Sequence, residues 1–559
     1  MATVAGMEGM VGLDAETREM VLETLRDYRK KKVTQEMLRE FDRDNHYPEE
    51  IMKEMYDPNQ VSINSLMIPV QYGGLGGNSF DIYRASEALA RLDLGIATSV
   101  FVTFLGMDPL MIGGTPEQKD KWIGLVAAKG LMVAYGATEA SAGSDLLRLQ
   151  TRAERVMEGD KVVGYKITGS KQWITNGGVA DLFTILAKTP KGVSWFLVEK
   201  GTKGLVADKH EDKLGIRLSN TCALSLNDVY VPVENLIGGV EGKGLRQAQA
   251  VFGYTRVMVA AMGLGCGWES LEHAIRYSQV RFVGGQPLSA KQGYTHKLIV
   301  PYAARLEACR AYIEEVSRRL DSGEEGLQTE GAIAKYLTTE TANAAADHAI
   351  QALGGNGYSK DFPVEKLKRD VKITCIYEGT SEVLEMTVFR TRWQDNLNAD
   401  GKFYDTRADE LDALHDTAPL VGAEAAANGL RALSRILKAC YDEKLTHNQT
   451  ITFKLGELIT YAETALAFCR AAAAEKLSEA VVFDRETIQA MSRVHARQAA
   501  SWISSEGLRL VASASEQDPT ALIETLGIKA IASAQKGALA DMDLVAKKLT
   551  EAFKADQPA

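Results

Sequence analysis

Three features of the sequence point to a mainly α protein with a central small antiparallel β domain. Apolar residues recur at helical spacing from Asp14 to about residue 129. Between residues 132 and 238 the spacing gives way to short β-rich runs split by Gly, Asn, Asp and Pro, with no helical crossover between them. Beyond residue 240 helical periodicity returns and is kept almost to the end.

The first helical region covers residues 1–130, and its segment 79–92 carries apolar residues at i, i+3 and i+4. The turn Tyr72-Gly73-Gly74-Leu75-Gly76-Gly77 lacks the Gly-Lys-Ser/Thr ending of a phosphate loop and reads as a flexible connector. In the β domain, 131–240, the expected strands are 132–135, 162–168, 182–187, 194–198 and 223–231. A second helical region, 241–393, follows with long helices at 253–279, 292–322 and 331–353. Asp, Asn and Gly cluster at 393–409, marking a boundary before an additional helical domain, 394–559. Its Ala-rich helices are expected at 423–441, 452–476, 485–512 and 520–554, with small faces suited to close helix packing.

Composition narrows the function. The chain has 559 residues, 45% hydrophobic and 25% charged, enough for two to four domains with a large core. A net charge of −10 leaves no basic surplus to displace phosphate counterions, which argues against nucleic acid as a partner. The six cysteines (Cys222, Cys266, Cys309, Cys375, Cys440, Cys469) form no CxxC pair and read as reduced thiols. Eight dispersed histidines argue against a metal centre. Residues 1–18 carry no secretory signal, and no run of 18 uncharged apolar residues suggests a membrane span. A cytoplasmic protein is expected, or one of the mitochondrial matrix after removal of a transit peptide.

The segment Cys375-Ile376-Tyr377-Glu378-Gly379-Thr380-Ser381-Glu382 places the Glu378 carboxylate in a mostly neutral setting. Desolvation there would raise its pKa and fit it to remove a weakly acidic proton from carbon. Taken alone, such a glutamate is more often an ordinary loop carboxylate. Three further motifs precede it in order: Tyr135-Gly136-Ala137-Thr138-Glu139-Ala140-Ser141-Ala142-Gly143-Ser144-Asp145, then Lys171-Gln172-Trp173-Ile174-Thr175-Asn176-Gly177-Gly178, then Ile350-Gln351-Ala352-Leu353-Gly354-Gly355-Asn356-Gly357-Tyr358. Together with Tyr377-Glu378-Gly379-Thr380 they closely resemble the acyl-CoA dehydrogenase family, FAD enzymes that oxidise acyl-CoA thioesters to trans-2-enoyl-CoAs. The resemblance covers roughly residues 14–393.

That resemblance implies a helix–β–helix core and a role for each matched residue. Tyr135, Ala137 and Thr138 would line the flavin ring, and Gly143 and Ser144 would let the pyrophosphate approach. Trp173 would cover the dimethylbenzene end, with Ile174 beside it and the Thr175 hydroxyl directed at N5. In isolation, Trp173-Ile174-Thr175 is more simply a buried strand. Gln351, Gly354 and Gly355 would meet the adenosine-diphosphate part of a flavin held mainly by a neighbouring subunit, and Arg281 and Gln292 would reach it across the same interface. Thr380 and Glu382 complete the cofactor set. Glu378 would be the base, its backbone N–H polarising the thioester carbonyl. Ser144, Tyr254, Arg256 and Gly379 would contact acyl-CoA. The chain departs from the family at Gly284 (usually Phe), Lys291 (usually His) and Ala140 (usually Pro).

In the acyl-chain helix, Ile96-Ala97 replaces the Arg of glutaryl-type members, and Phe101 and Phe104 replace the small residues of very-long-chain members. Short-to-medium, branched or cyclic acyl groups are therefore expected. The extra helical domain resembles that of very-long-chain dehydrogenases, which implies a homodimer. Its mixed-charge, Ala-rich helices argue against membrane association. Electron-transferring flavoprotein is the family's usual acceptor. An acyl-CoA oxidase or an enoyl-CoA reductase would carry the same residues. A non-enzymatic assembly factor of the same lineage is disfavoured by Glu378, Trp173 and Thr175 standing together.

Overall fold

In the computed structural model, which describes residues 9–250, 252–516 and 518–555, the helix Leu94–Gly113 begins where the Asp93 carboxylate accepts the Ile96 amide at 3.0 Å. That cap satisfies one of the amides that a first turn leaves open. Asp108 is the only charge in this helix. By length and composition alone the helix could cross a membrane, a property the sequence reading missed because Asp108 interrupts the apolar run. Yet 83% of its apolar window lies inside the protein. A Cβ on Gly106 would stand 2.7 Å from Val133 Cγ1, so the helix lies tightly against the first strand.

That strand, β1 (Val133–Gly136), leads into β2 (Arg152–Glu158), β3 (Lys161–Thr175), β4 (Leu182–Thr189), β5 (Gly192–Glu199), β6 (Leu205–Ala207) and β7 (Thr221–Pro232). The sheet order is β1-β4-β2-β3-β7-β6, with β5 also on β4. Most of its strand pairs are antiparallel, as expected, and two are parallel. β1 runs parallel to β4 from Val133↔Leu182 to Gly136↔Ile185, and β2 meets β4 in a parallel bridge at Arg152↔Lys188. A parallel pair needs a long connection, and here the connection is itself the β2–β3 hairpin rather than a helix. β2 and β6 were not foreseen. Only Ala153 of β2 is fully buried, so the strand has no apolar alternation to betray it.

The chain forms two compact units: one up to Met258 with Ser317–Leu327, the other Val259–Val316 with everything from Gln328. In the first, the glycine segment before the Ser79–Leu92 helix is a laced turn, not a slack connector. Leu75 N, Gly76 N and Gly77 N donate to the carbonyls of Ser65, Ile68 and Leu66 at 2.7, 2.9 and 2.9 Å.

In the second unit the helix Gln328–Leu353 is almost wholly buried. The expected continuous helix 292–322 breaks into Gln292–Leu298 and Val300–Asp321. Pro301 has no amide to continue the ladder. The last expected helix is likewise three helices, Pro519–Thr525, Ile528–Ser533 and Ala538–Ala552, because Gly527 and Gly537 take left-handed conformations at the breaks. The C-terminal helices join the rest of this unit through a buried polar cluster. Arg392 donates to both oxygens of Glu463 at 2.6 and 3.1 Å and to Glu330 at 2.9 Å. The Tyr312 and Tyr404 hydroxyls add hydrogen bonds to Glu463, each at 3.1 Å. Burial opposes the Glu463 charge, but Arg392 holds its carboxyl below the usual range.

Candidate active site

In the first unit β1 runs into the segment from Ala137 to Thr138, which lies beside the end of β3: Gln172 N donates to Thr138 O at 3.0 Å. The pairing of β3 with β7 shifts between Lys171↔Leu224 and Ile174↔Cys222, leaving one extra residue on β3. The bulge turns Trp173 to φ 60°, and its indole is 57% exposed. A left-handed non-glycine residue costs roughly 1–2 kcal/mol, and bulges cluster where a side chain must be re-aimed. Ile174 is buried and Thr175 half-buried behind it. Tyr135 lies against Trp195 with ring centroids 4.8 Å apart. Gly143 and Ser144 are exposed in the following loop.

Beneath this face lies an ion pair that the sequence reading passed over. Lys171 Nζ is fully buried, 2.8 Å from Glu139 Oε1 and 3.2 Å from Ala137 O. Glu139 also accepts the amides of Gln150 at 2.6 Å and Thr151 at 3.0 Å. Burial pushes Lys171 down to about 8 against the pull of Glu139. Burial would raise Glu139, yet Lys171 and the amides hold it below the usual carboxylate range. Both groups are thus charged at neutral pH, and each ties a motif residue to its neighbour.

Tyr254 and Arg256 are buried at the start of the helix Phe252–Val280. The Tyr254 hydroxyl bonds Asp108 on the Leu94–Gly113 helix, and its ring meets Phe104 edge-on at 5.8 Å.

In the second unit the site residues form two groups. Glu378 is half-buried at φ 54°, followed by Gly379 at φ 96°. Two left-handed residues in succession lift the carboxylate out of the loop just before the helix Ser381–Asn398. Thr380 caps that helix by accepting the Val383 amide at 3.4 Å, and Glu382 is exposed in its first turn, where a negative charge suits the helix dipole. The loop is gripped by the Gln328–Leu353 helix. Lys335, wholly buried, donates to Gly379 O at 2.6 Å. Asn343 donates to Val371 O and Cys375 Sγ, each at 3.0 Å, and Ser381 donates to Glu340 at 2.5 Å. Lys335 was missed too; its one signal was a lone charge in the apolar run Gly331–Leu337.

At the far end of the same helix stand Gln351, Gly354 and Gly355, about 24 Å from Lys335 at the helical rise per residue. Tyr294 OH donates to Ala352 O at 3.1 Å, bringing the Gln292–Leu298 helix to this end. Arg281 is exposed where the Phe252–Val280 helix gives way to the hairpin Phe282–Val283 with Gln286–Pro287. Gln292 donates to Asp543 at 2.7 and 2.9 Å.

These residues fit a flavin. Beside Gly143, Gly354 and Gly355 no atom of the described residues, chain neighbours aside, lies within 4 Å of where a Cβ would stand, so pyrophosphate oxygens can approach the backbone closely. An exposed aromatic and a half-buried hydroxyl two residues apart on β3 suit a ring with one apolar and one polar edge.

Three domain models of one family match in order: the acyl-CoA dehydrogenase N-terminal domain at residues 15–129, the middle domain at 134–229 and the C-terminal domain at 242–391. Cyclohex-1-ene-1-carbonyl-CoA dehydrogenase of Geobacter metallireducens is 34% identical over 381 residues, 67% of this chain and 97% of that protein. The butyryl-CoA dehydrogenase structure from Megasphaera elsdenii matches with a TM-score of 0.63 at 33% identity, over 67% of this chain and 98% of the other. An acyl-CoA dehydrogenase complexed with FAD from Bacillus anthracis matches over 97% of this chain and 96% of its own at a TM-score of 0.80. At 23% identity the last establishes fold alone, and it does so for the C-terminal helices as well. The chain belongs to the acyl-CoA dehydrogenase family.

Proposed function

We propose that the protein is an FAD-dependent acyl-CoA dehydrogenase that converts a short-to-medium, branched or cyclic acyl-CoA to its trans-2-enoyl-CoA and delivers electrons to electron-transferring flavoprotein. The observation that carries the reading is Glu378, left-handed at the head of a helix, with the buried Lys335 bonding the carbonyl of the next residue, Gly379. FAD, when bound, supplies the acceptor for the hydride that leaves the β-carbon. Glu378 takes the α-proton, and its backbone N–H donates to the thioester carbonyl as negative charge builds there. Trp173 would cover the flavin ring, Thr175 would donate to it, and Tyr135, Ala137 and Thr138 would wall its other edge. Ser144, Tyr254, Arg256 and Gly379 hold the acyl-CoA.

The substrate class is supported by Phe101 and Phe104, both buried on the Leu94–Gly113 helix, where bulk in place of the small residues of very-long-chain members would shorten an acyl site. Likeness to dehydrogenases of cyclohexene-carbonyl-CoA and butyryl-CoA agrees with it. The working form is a homodimer in which Arg281, Gln292, Gln351, Gly354 and Gly355 serve the neighbour's flavin.

Glu378→Gln tests the reading. The variant is expected to remain folded and yellow while turnover falls at least about a hundredfold, the floor for losing a positioned base. Retention of more than roughly a tenth of wild-type turnover overturns the assignment. Anaerobic titration with an acyl-CoA panel tests the substrate class: strongest bleaching by palmitoyl-CoA or longer chains contradicts it. Hydrogen peroxide formed in air at the rate of turnover would make the enzyme an oxidase instead.

A further inference from the structure

A cleft of about 690 Å³ lies in the second unit between the C-terminal helix Ala538–Ala552, with the residues just beyond it, and the segment that enters the Gln292–Leu298 helix. Its volume is in the range of small-ligand sites. On one wall stands Gln292, assigned above to the adenosine-diphosphate half of the flavin. On the other stand Asp543, Lys547, Thr550, Glu551 and Lys554. Asp543 accepts from Gln292 and lies 3.2 Å from His296 Nε2. The C-terminal helix thus sits directly on the segment that carries Gln292. That segment also carries Gly284 and Lys291 where the family usually has Phe and His, so it offers a nucleotide less cover of its own.

We propose that the C-terminal helix completes the site for the adenosine-diphosphate half of FAD, with Lys547 and Lys554 meeting the pyrophosphate and Asp543 with Gln292 meeting the adenine. The inference rests on the flavin reading above. Donors and acceptors match the two ends of that ligand. An ammonium group serves phosphate as a mobile point charge, and a carboxylate beside an amide can accept from an exocyclic amine and return a hydrogen bond. Glu551 lies 3.9 Å from Lys547, a loose exposed pair whose attraction an arriving phosphate readily outcompetes. The extra domain thereby acquires a task in cofactor retention.

Two full-length variants test this, the double substitution Lys547→Ala with Lys554→Ala and the cleft-filling Thr550→Trp. The holoprotein is diluted into flavin-free buffer and FAD release is followed by fluorescence, at low and high salt, with and without ADP as competitor for rebinding. Both variants are expected to release FAD at least tenfold faster than wild type. The lysine variant should also lose the salt dependence of release and the competition by ADP. Both lysines are exposed, so their removal leaves folding intact. Wild-type release from the lysine variant at both salt concentrations overturns the inference and makes the cleft a solvent gap between helices. A wild-type protein that neither carries nor takes up FAD defeats the flavin reading instead.

Discussion

The bulge at Trp173 and the loop at Glu378 use one device on two different scaffolds. In each, a non-glycine residue is held left-handed, at φ 60° and φ 54°, over a fully buried lysine that donates to a nearby backbone carbonyl. They differ in what backs the lysine. Lys171 is locked to the Glu139 carboxylate within the sheet region, whereas Lys335 projects from a helix and meets Gly379 O directly. The first arrangement is a structural rivet, since removing either charge strands the other in the interior. The second is a positioning contact, whose loss is felt first by the carboxylate it steadies. The left-handed residue thus stands beside a lysine–carboxylate pair in one place and beside a lysine carried on a buried helix in the other.

Breaking the rivet has the largest expected effect. Lys171→Met leaves Glu139 buried without its cation and should cost about 3–5 kcal/mol, read as a lower denaturant midpoint with an unchanged slope. A loss under about 1 kcal/mol would erase the distinction between the two regions. Lys335→Met comes next and should act the other way round. The bond lost is the one to Gly379 O, and a buried acceptor left without its donor costs about 1–3 kcal/mol. Turnover should fall about tenfold or more, the equivalent of roughly 1.4 kcal/mol in the barrier, while KM barely moves. Equal losses of stability in both variants, with catalysis following folding, would mean that Lys335 is only structural.

The smallest effect sharpens the comparison through pH. Glu385 follows the Glu378 loop on the Ser381–Asn398 helix and accepts from Tyr336 OH at 2.7 Å. Burial raises its carboxyl to about 7, with Tyr336 acting against the rise and Glu457 adding to it. The folded chain therefore holds this proton more tightly than the unfolded one. The stability so gained is present below the unfolded value of 4.5 and is lost as pH rises through 7. Glu385→Gln should raise stability by roughly 2 kcal/mol at pH 8, allowing for solvent screening, and by almost nothing below pH 4.5. A difference independent of pH across that window would discard the mechanism.

Much of this architecture is legible in the sequence. The helix Ser79–Leu92 has the bounds its spacing indicated, because its apolar stripe faces a core and Asn78 and Asp81 cap each other at its start. The strands missed were those without a buried alternate face, and the helices misjudged were those cut by Pro301, Gly527 and Gly537 inside otherwise regular apolar spacing. The motif residues could be named, but the residues that brace them could not. Lys171 and Lys335 are buried charges whose partners lie 32 and 44 residues away, and periodicity carries no trace of such pairs.

Arg392 stands one residue beyond the last position matched by the family's C-terminal domain, on the helix that starts at the Glu378 loop. A stop codon placed after that helix would take away both Glu463 oxygens and the Tyr404 ring while leaving the guanidinium behind. Glu330 and Asp395 would still face Arg392, so such a deletion leaves the guanidinium with two of its three carboxylates, and the same deletion with Arg392→Leu shows whether the lost one matters.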